Sequence, residues 1–229
     1  MLVPKGLRAV NLGQLVPLDG AEIAYYEVPS ELSSMAELIK ALDTVAKNAC
    51  TMFNASVALV PLFRDELTLL MIQGLLDSAP HIFSDALPVK RGSGVCIARP
   101  TYYVFSADAV AIAYLSRLYE LIPPETAKLP SLNARERVVV KHMYPILWRS
   151  RELMYSSRKS LELLQSFILA KTNRCSICLA RSSEDPCPLC RELMTKFSKI
   201  YIEPPANTHR VPWYGDVRRS SAHTEGGNQ

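Results

Sequence analysis

The sequence predicts an α/β fold that ends in helices and a four-cysteine knuckle. Three observations point there. Strand-like runs alternate with helical stretches across residues 22–122, the pattern of α/β architecture. Two C-x-x-C pairs stand close together at 175–178 and 187–190. Apolar residues make up 48% of the 229-residue chain while the net charge is only +4, a balance that suits one medium-sized domain with a small appendage.

In order along the chain, EIAYYEV (22–28) has the β-branched and aromatic content of a short strand, ended by Pro29. ELSSMAELIKALDTVAKNACTMFN (31–54) sets Met35, Leu38, Ile39, Leu42, Val45 and Ala46 at helical spacing behind Ser33 or Ser34 as N-cap, which predicts an amphipathic helix laid on a core. SVALVPLF (56–63) is a continuous apolar run, the pattern of a buried parallel strand. It leads into RDELTLLMIQGLLDS, a helix opened by Asp65 and Glu66 where the macrodipole favours acids. A loop over 84–94, an extended segment (95–105) and a helix over 106–122 with Ser106 as N-cap follow. Tyr102, Tyr103 and Tyr114 read as core or interface, and Cys50 and Cys96 as small buried residues. After a proline-rich linker (123–133), ARERVVVKHM and ILWRSRELMYSSRKSLELLQSFILAK read as two helices separated at Pro145. The expected division is therefore an α/β part (1–130), a helical segment (131–170), the cysteine segment with its following helix (171–203) and a mobile tail (204–229).

No stretch reaches the roughly 18 to 20 uninterrupted apolar residues of a membrane span, and the first residues lack the apolar run of a signal peptide. A cytoplasmic protein with no membrane partner is expected. Four of the six cysteines fall in the C-x-x-C pairs, which favours metal in a reducing compartment over a disulfide scaffold. Charge is uneven: residues 135–199 hold 13 Lys and Arg against 6 Asp and Glu, whereas residues 1–134 hold 10 against 13. That concentration suits a phosphate-facing surface, with Arg135, Arg137, Lys141, Arg174 and Arg181 as candidate RNA contacts, and it equally suits a solvated face.

In CSICLARSSEDPCPLC, Cys175 and Cys178 are separated from Cys187 and Cys190 by the eight residues 179–186. Each C-x-x-C turn aims two thiolates at one centre, and the short loop closes a tetrahedral S₄ site with Zn–S distances of about 2.3 Å. Structural zinc is the expected cofactor, and an iron centre of rubredoxin type would use the same ligands. A closed S₄ site has no open position, so it is expected to fold and position its segment without performing chemistry.

Three collinear segments, ASVALVPLFRDELTLLMIQGLL (55–76), ARPTYYVFSADAVAIAYLSRL (98–118) and CSICLARSSEDPCPLCREL (175–193), resemble parts of a known family. It is the tRNA 2-thiouridine synthetases of the archaeal and eukaryotic-cytosolic type, PP-loop ATPases that adenylate a uridine oxygen and replace it with sulfur. The first segment is similar to the family's strand, GHNLDDE turn and helix, with Asp65 and Glu66 on the last two letters. The second is similar to its KPL segment and tyrosine-bearing helix, and the third to its C-terminal zinc finger, whose interval is also eight. Only the finger is specific by itself, and the resemblance spans roughly residues 35–195. It implies a truncated PP-loop-like (HUP-type) parallel sheet, and it would make Asp65 and Glu66 nucleotide-binding residues unless they serve only the helix dipole.

The departures are larger than the matches. The SGGxDS turn, which lets backbone N–H groups approach a pyrophosphate, has no counterpart: residues 1–50 hold only Gly6, Gly13 and Gly20. Val60, Pro61 and Leu62 replace GHN, Arg64 replaces the first aspartate, and no thiol lies near Leu129–Pro130, where the family's reactive cysteine belongs. The family's N-terminal zinc finger and the C-x-x-C before the helix at 35–50 are also missing. Neither ATP nor an iron–sulfur cluster is expected, and no catalytic residue is assigned. The implied role is a non-catalytic accessory subunit or paralogue, partnered by an intact PP-loop tRNA thiolase or by itself, and touching tRNA. An active form would be a tRNA sulfurtransferase completed by a partner. The other reading is a free-standing zinc-finger nucleic-acid-binding protein unconnected with thiolation.

Overall fold

The computed structural model describes residues 2–4, 24–27, 29, 32–118, 132–170 and 172–203. Gly6, Gly13 and Gly20, most of the proline-rich linker and the expected tail fall outside them.

Helix α1 (Met35–Met52) is the spine of the fold. Ser34 caps it, its hydroxyl accepting the Glu37 N–H at 3.0 Å, and Glu37 accepts the Ser33 N–H in return. The sequence predicts one apolar face, but α1 is buried on two. Ile39, Ala46 and Cys50 join one hydrophobic core, while Ala41, Val45 and Ala49 join another. The predicted apolar set is divided between them: Met35, Ile39, Leu42 and Ala46 go to the first core, Leu38 and Val45 to the second.

The first core is completed by β3 (Val57–Leu59), α2 (Arg64–Leu76), α3 (Pro80–Asp85) and β5 (Val95–Ala98), with β4 (Val89–Gly92) flanking β5 in the sheet. The sheet order is β3-β5-β4, with β3 parallel and β4 antiparallel to β5. The parallel pairing of 57–59 is as expected, but its burial is not. As an edge strand β3 leaves Val57 53% and Leu59 66% exposed, and burial begins only at Val60 and Leu62. The loop expected over 84–94 instead holds the end of α3 and the strand β4. β4 and β5 meet across a two-residue turn, Ser93 and Gly94, both at positive φ (51° and 75°), the type I′ form that matches strand twist. α2 and α3 touch at Gly74, where a Cβ would stand 2.5 Å from the Phe83 nitrogen.

Helix α4 (Ser106–Leu115) stops earlier than the expected 106–122, at a turn with Arg117 at φ 55°. Phe105, not Ser106, occupies its N-cap position, and Ser106 is the first helical residue. The cap is supplied from elsewhere, as shown below. α4 buries none of its residues; Val110, Ile112 and Leu115 are exposed. Tyr102 is in the first core, whereas Tyr103 and Tyr114 are exposed. Cys50 is buried and Cys96 half-buried.

Helices α5 (Ala134–Arg149) and α6 (Arg151–Ile168) part at Ser150, in extended conformation, rather than at Pro145, which lies inside α5. A proline in a helix loses one backbone hydrogen bond but need not end it when the flanking turns hold. Asn133 caps α5, and buried Glu136 closes the capping box on the Asn133 N–H. The other Glu136 oxygen accepts the Ala36 N–H at 3.3 Å, joining the start of α5 to the start of α1.

The second core holds the turn between β6 (Asn173–Arg174) and β7 (Arg181–Ser182), with α7 (Pro188–Phe197) and β8 (Tyr201–Glu203). β8 is antiparallel to β2 (Ala24–Glu27), which is parallel to β1 (Leu2–Pro4). Leu193, Phe197 and Ile202 pack with the cysteines against α1. Among the described residues no helix is long and apolar enough to cross a membrane.

Candidate metal centre

The four cysteines reach one point from two different local structures. Cys175 and Cys178 sit in the turn between β6 and β7, which pair antiparallel with Arg174 opposite Arg181. That turn is closed by the Cys175 N–H to Ala180 carbonyl bond (2.8 Å) and the Leu179 N–H to Cys175 carbonyl bond (3.0 Å), with Leu179 in the left-handed region at φ 61°. Cys187 is the N-cap of α7, Pro188 opens the helix and Cys190 lies in its first turn. The positive end of α7 therefore faces the sulfurs and favours thiolate.

All four residues are fully buried, and their sulfurs lie within 4.8 Å of one another. The Cys178 and Cys187 sulfurs are 3.9 Å apart. A tetrahedron with Zn–S bonds of about 2.3 Å has edges of about 3.8 Å, which the Cys178–Cys187 pair matches, so the cluster could hold a metal ion in a closed S₄ site. The Cys187 N–H points at the Cys175 sulfur (3.4 Å), a donor of the kind that steadies thiolate ligands. The four thiols differ in acidity. Hydrogen bonds from Cys178, Cys187 and Cys190 hold Cys175 far below the ordinary thiol range. Burial pushes Cys178 up, but Cys187, Cys190 and the Lys40 ammonium outweigh it and hold it low. Cys187 and Cys190 are pushed up, chiefly by their bonds to Cys175 and Cys178. A dication displaces the remaining protons and removes that competition.

Behind the cysteines lies a buried ionic seam that the sequence reading missed. The Lys40 ammonium has three donors and three partners: Asp85 Oδ2 at 2.6 Å, the His81 carbonyl at 3.1 Å and the Cys178 sulfur at 3.3 Å. Lys90 does the same with Asp43, Asp85 Oδ1 (2.9 Å) and the Cys178 carbonyl (3.1 Å). Arg99 pairs with Asp43 at 2.6 Å. All five side chains are at most 3% exposed. Burial alone would discharge the lysines; Asp85 and the sulfurs around Lys40, and Asp43 and Asp85 around Lys90, overcome it and hold both pKa values above the ordinary lysine range. Cys178 is thus gripped at its sulfur from α1 and at its carbonyl from β4. At the exposed edge of the knuckle, Lys47 donates to the Ser176 carbonyl and Asp185 accepts the Ser176 N–H at 2.7 Å.

The other candidate residues are scattered. Asp65, on α2, accepts the Ser106 N–H at 3.0 Å and the Ser106 hydroxyl, and so caps α4 across 41 residues. Glu66 accepts the Phe63 N–H at 2.8 Å at the start of its own helix; burial and neighbouring Asp65 push its carboxyl up despite that bond. Arg135 pairs with Asp77 at 2.8 Å on the surface, and Arg137 and Lys141 are exposed on α5. Arg174 and Arg181 stand together on the knuckle hairpin, away from that α5 group in the fold's element order but beside Arg91 in one cleft. Comparison with models of known protein families gives no match, and comparison with curated proteins gives none.

Proposed function

We propose that the chain is a zinc-stabilised, non-catalytic accessory subunit of a tRNA-thiolating PP-loop ATPase, working in the cytoplasm. One observation carries the non-catalytic part. The two carboxylates that fall on the family's motif serve helix N-termini, Asp65 that of α4 and Glu66 that of α2. The parallel β3–β5 pair is what remains of a PP-loop-like sheet on this reading. Zinc is the ion of choice because four buried thiolates in tetrahedral reach suit it and leave no open position for chemistry.

Calorimetry with magnesium ATP and gel filtration with an intact SGGxDS-bearing thiolase test the reading together. The expected outcome is no micromolar ATP binding by the chain alone and a stable complex with the thiolase. Micromolar ATP binding would sink the non-catalytic assignment, and a thiolase that elutes alone would sink the accessory one.

A further inference from the structure

We propose that the cleft between the β4–β5 hairpin, the C-terminal turns of α6 and the knuckle hairpin β6–β7 binds phosphoryl anions. This assignment does not depend on the accessory role, because it uses only groups of this chain. The cleft measures about 570 Å³, and among the described residues Arg91, Arg174 and Arg181 line it against a single carboxylate, Glu162. Lys90 also borders it, but its ammonium is turned inward to Asp43 and Asp85, so the cationic excess belongs to the arginines.

Those arginines are held differently, and the difference suits a ligand. Arg91 and Arg174 are exposed, and their guanidinium groups have no hydrogen-bond or ion-pair partner among the described residues. Arg181 is anchored: its N–H bonds the Ser84 hydroxyl at 2.7 Å and its Nη1 bonds the Thr172 carbonyl at 3.0 Å, which leaves further guanidinium donors for the cleft. The Arg174 stem runs over Gly92, where a Cβ would stand 3.3 Å from its Cδ; the bare glycine gives the arginine room to lie along the hairpin. A guanidinium offers a planar fork of N–H donors that matches two phosphate oxygens at once. The walls are fixed before any ligand arrives, since Lys90 on the hairpin is bonded to the Cys178 carbonyl of the knuckle. A site whose donors are already placed loses little entropy on binding.

A phosphoryl group can belong to an RNA backbone or to a small phosphate, and two probes distinguish them. A fluorescent 12-nucleotide RNA is followed by anisotropy over a salt series with the full metal-loaded chain, and inorganic pyrophosphate is added as a competitor. The cleft pair Arg91→Glu and Arg174→Glu should weaken RNA binding at least about tenfold and lower the logarithmic salt slope by about 1.4 to 1.8, two contacts' worth. The charge-matched pair Arg137→Glu and Lys141→Glu on α5 should change affinity less than about twofold. Unaltered metal content shows that each variant is folded. Competition by pyrophosphate identifies a pocket for single phosphoryl groups, and its failure identifies a track for an extended backbone. Equal losses in the two pairs, no loss in the cleft pair, no binding of either probe at low salt, or polyglutamate binding as tightly as RNA would each overturn the proposal.

Discussion

On one side of α1, Ile39, Ala46 and Cys50 meet Leu67, Leu70, Phe83 and Ile97, large side chains from several elements. On the other, Ala41, Val45 and Ala49 meet four cysteines, Ala180 and a few larger residues from α7 and β8. The first side buries apolar surface in the usual way, and its cohesion is the sum of many contacts. The second includes two-residue strands and four cysteines among its buried residues, so its cohesion is expected to depend on a metal ion that those cysteines could hold and on the charged seam that runs through to Lys40 and Lys90. One helix thus joins a core that should tolerate the loss of any one contact to a core that should not.

The largest effect is therefore expected from a ligand. Cys187→Ser should abolish near-stoichiometric metal binding and expose the amides of residues 173–203 to hydrogen exchange while those of α2 and α3 stay protected, because structural zinc contributes on the order of 10 kcal/mol to the folding of its segment. Full metal content in this variant would remove the site assignment; simultaneous loss of protection in α2 would mean that the two sides of α1 unfold as one. Next comes the seam. Asp43→Ala leaves Lys90 and Arg99 buried with one carboxylate between them and Lys40, and should cost about 3 to 5 kcal/mol in urea denaturation. A loss below about 1 kcal/mol would show that the seam is not what binds the halves together. The smallest effect is expected on the apolar side, where Gly74→Ala forces α2 from the Phe83 backbone and should cost about 1 to 3 kcal/mol with the metal content unchanged.

What the sequence disclosed, and what it hid, follows the same division. The cysteines were legible because C-x-x-C turns at an eight-residue interval have few other physical uses, and α1, α2 and the parallel strand at 57–59 were legible from periodicity and run length. The seam was not. In β4 the alternation is inverted, with Val89 and Arg91 exposed and Lys90 buried, because Asp43 and Asp85 fix the register where an apolar core would have turned the valine inward. The signal that was present is Lys40 and Asp43 three residues apart within a helix whose neighbours are apolar or small, a pair that faces one way. Ser106 misled as a cap for a related reason. A serine at the right place before a helix gives no hint that a carboxylate 41 residues upstream takes the N–H instead.

The bond from Glu136 to the Ala36 N–H spans a sequence separation of 100 residues. Closing a loop of that length costs chain entropy, which contacts already formed nearby reduce. Late docking of α5 onto a core already formed around α1 is therefore expected, and removing the Glu136 carboxylate should then speed unfolding and leave the refolding rate nearly untouched.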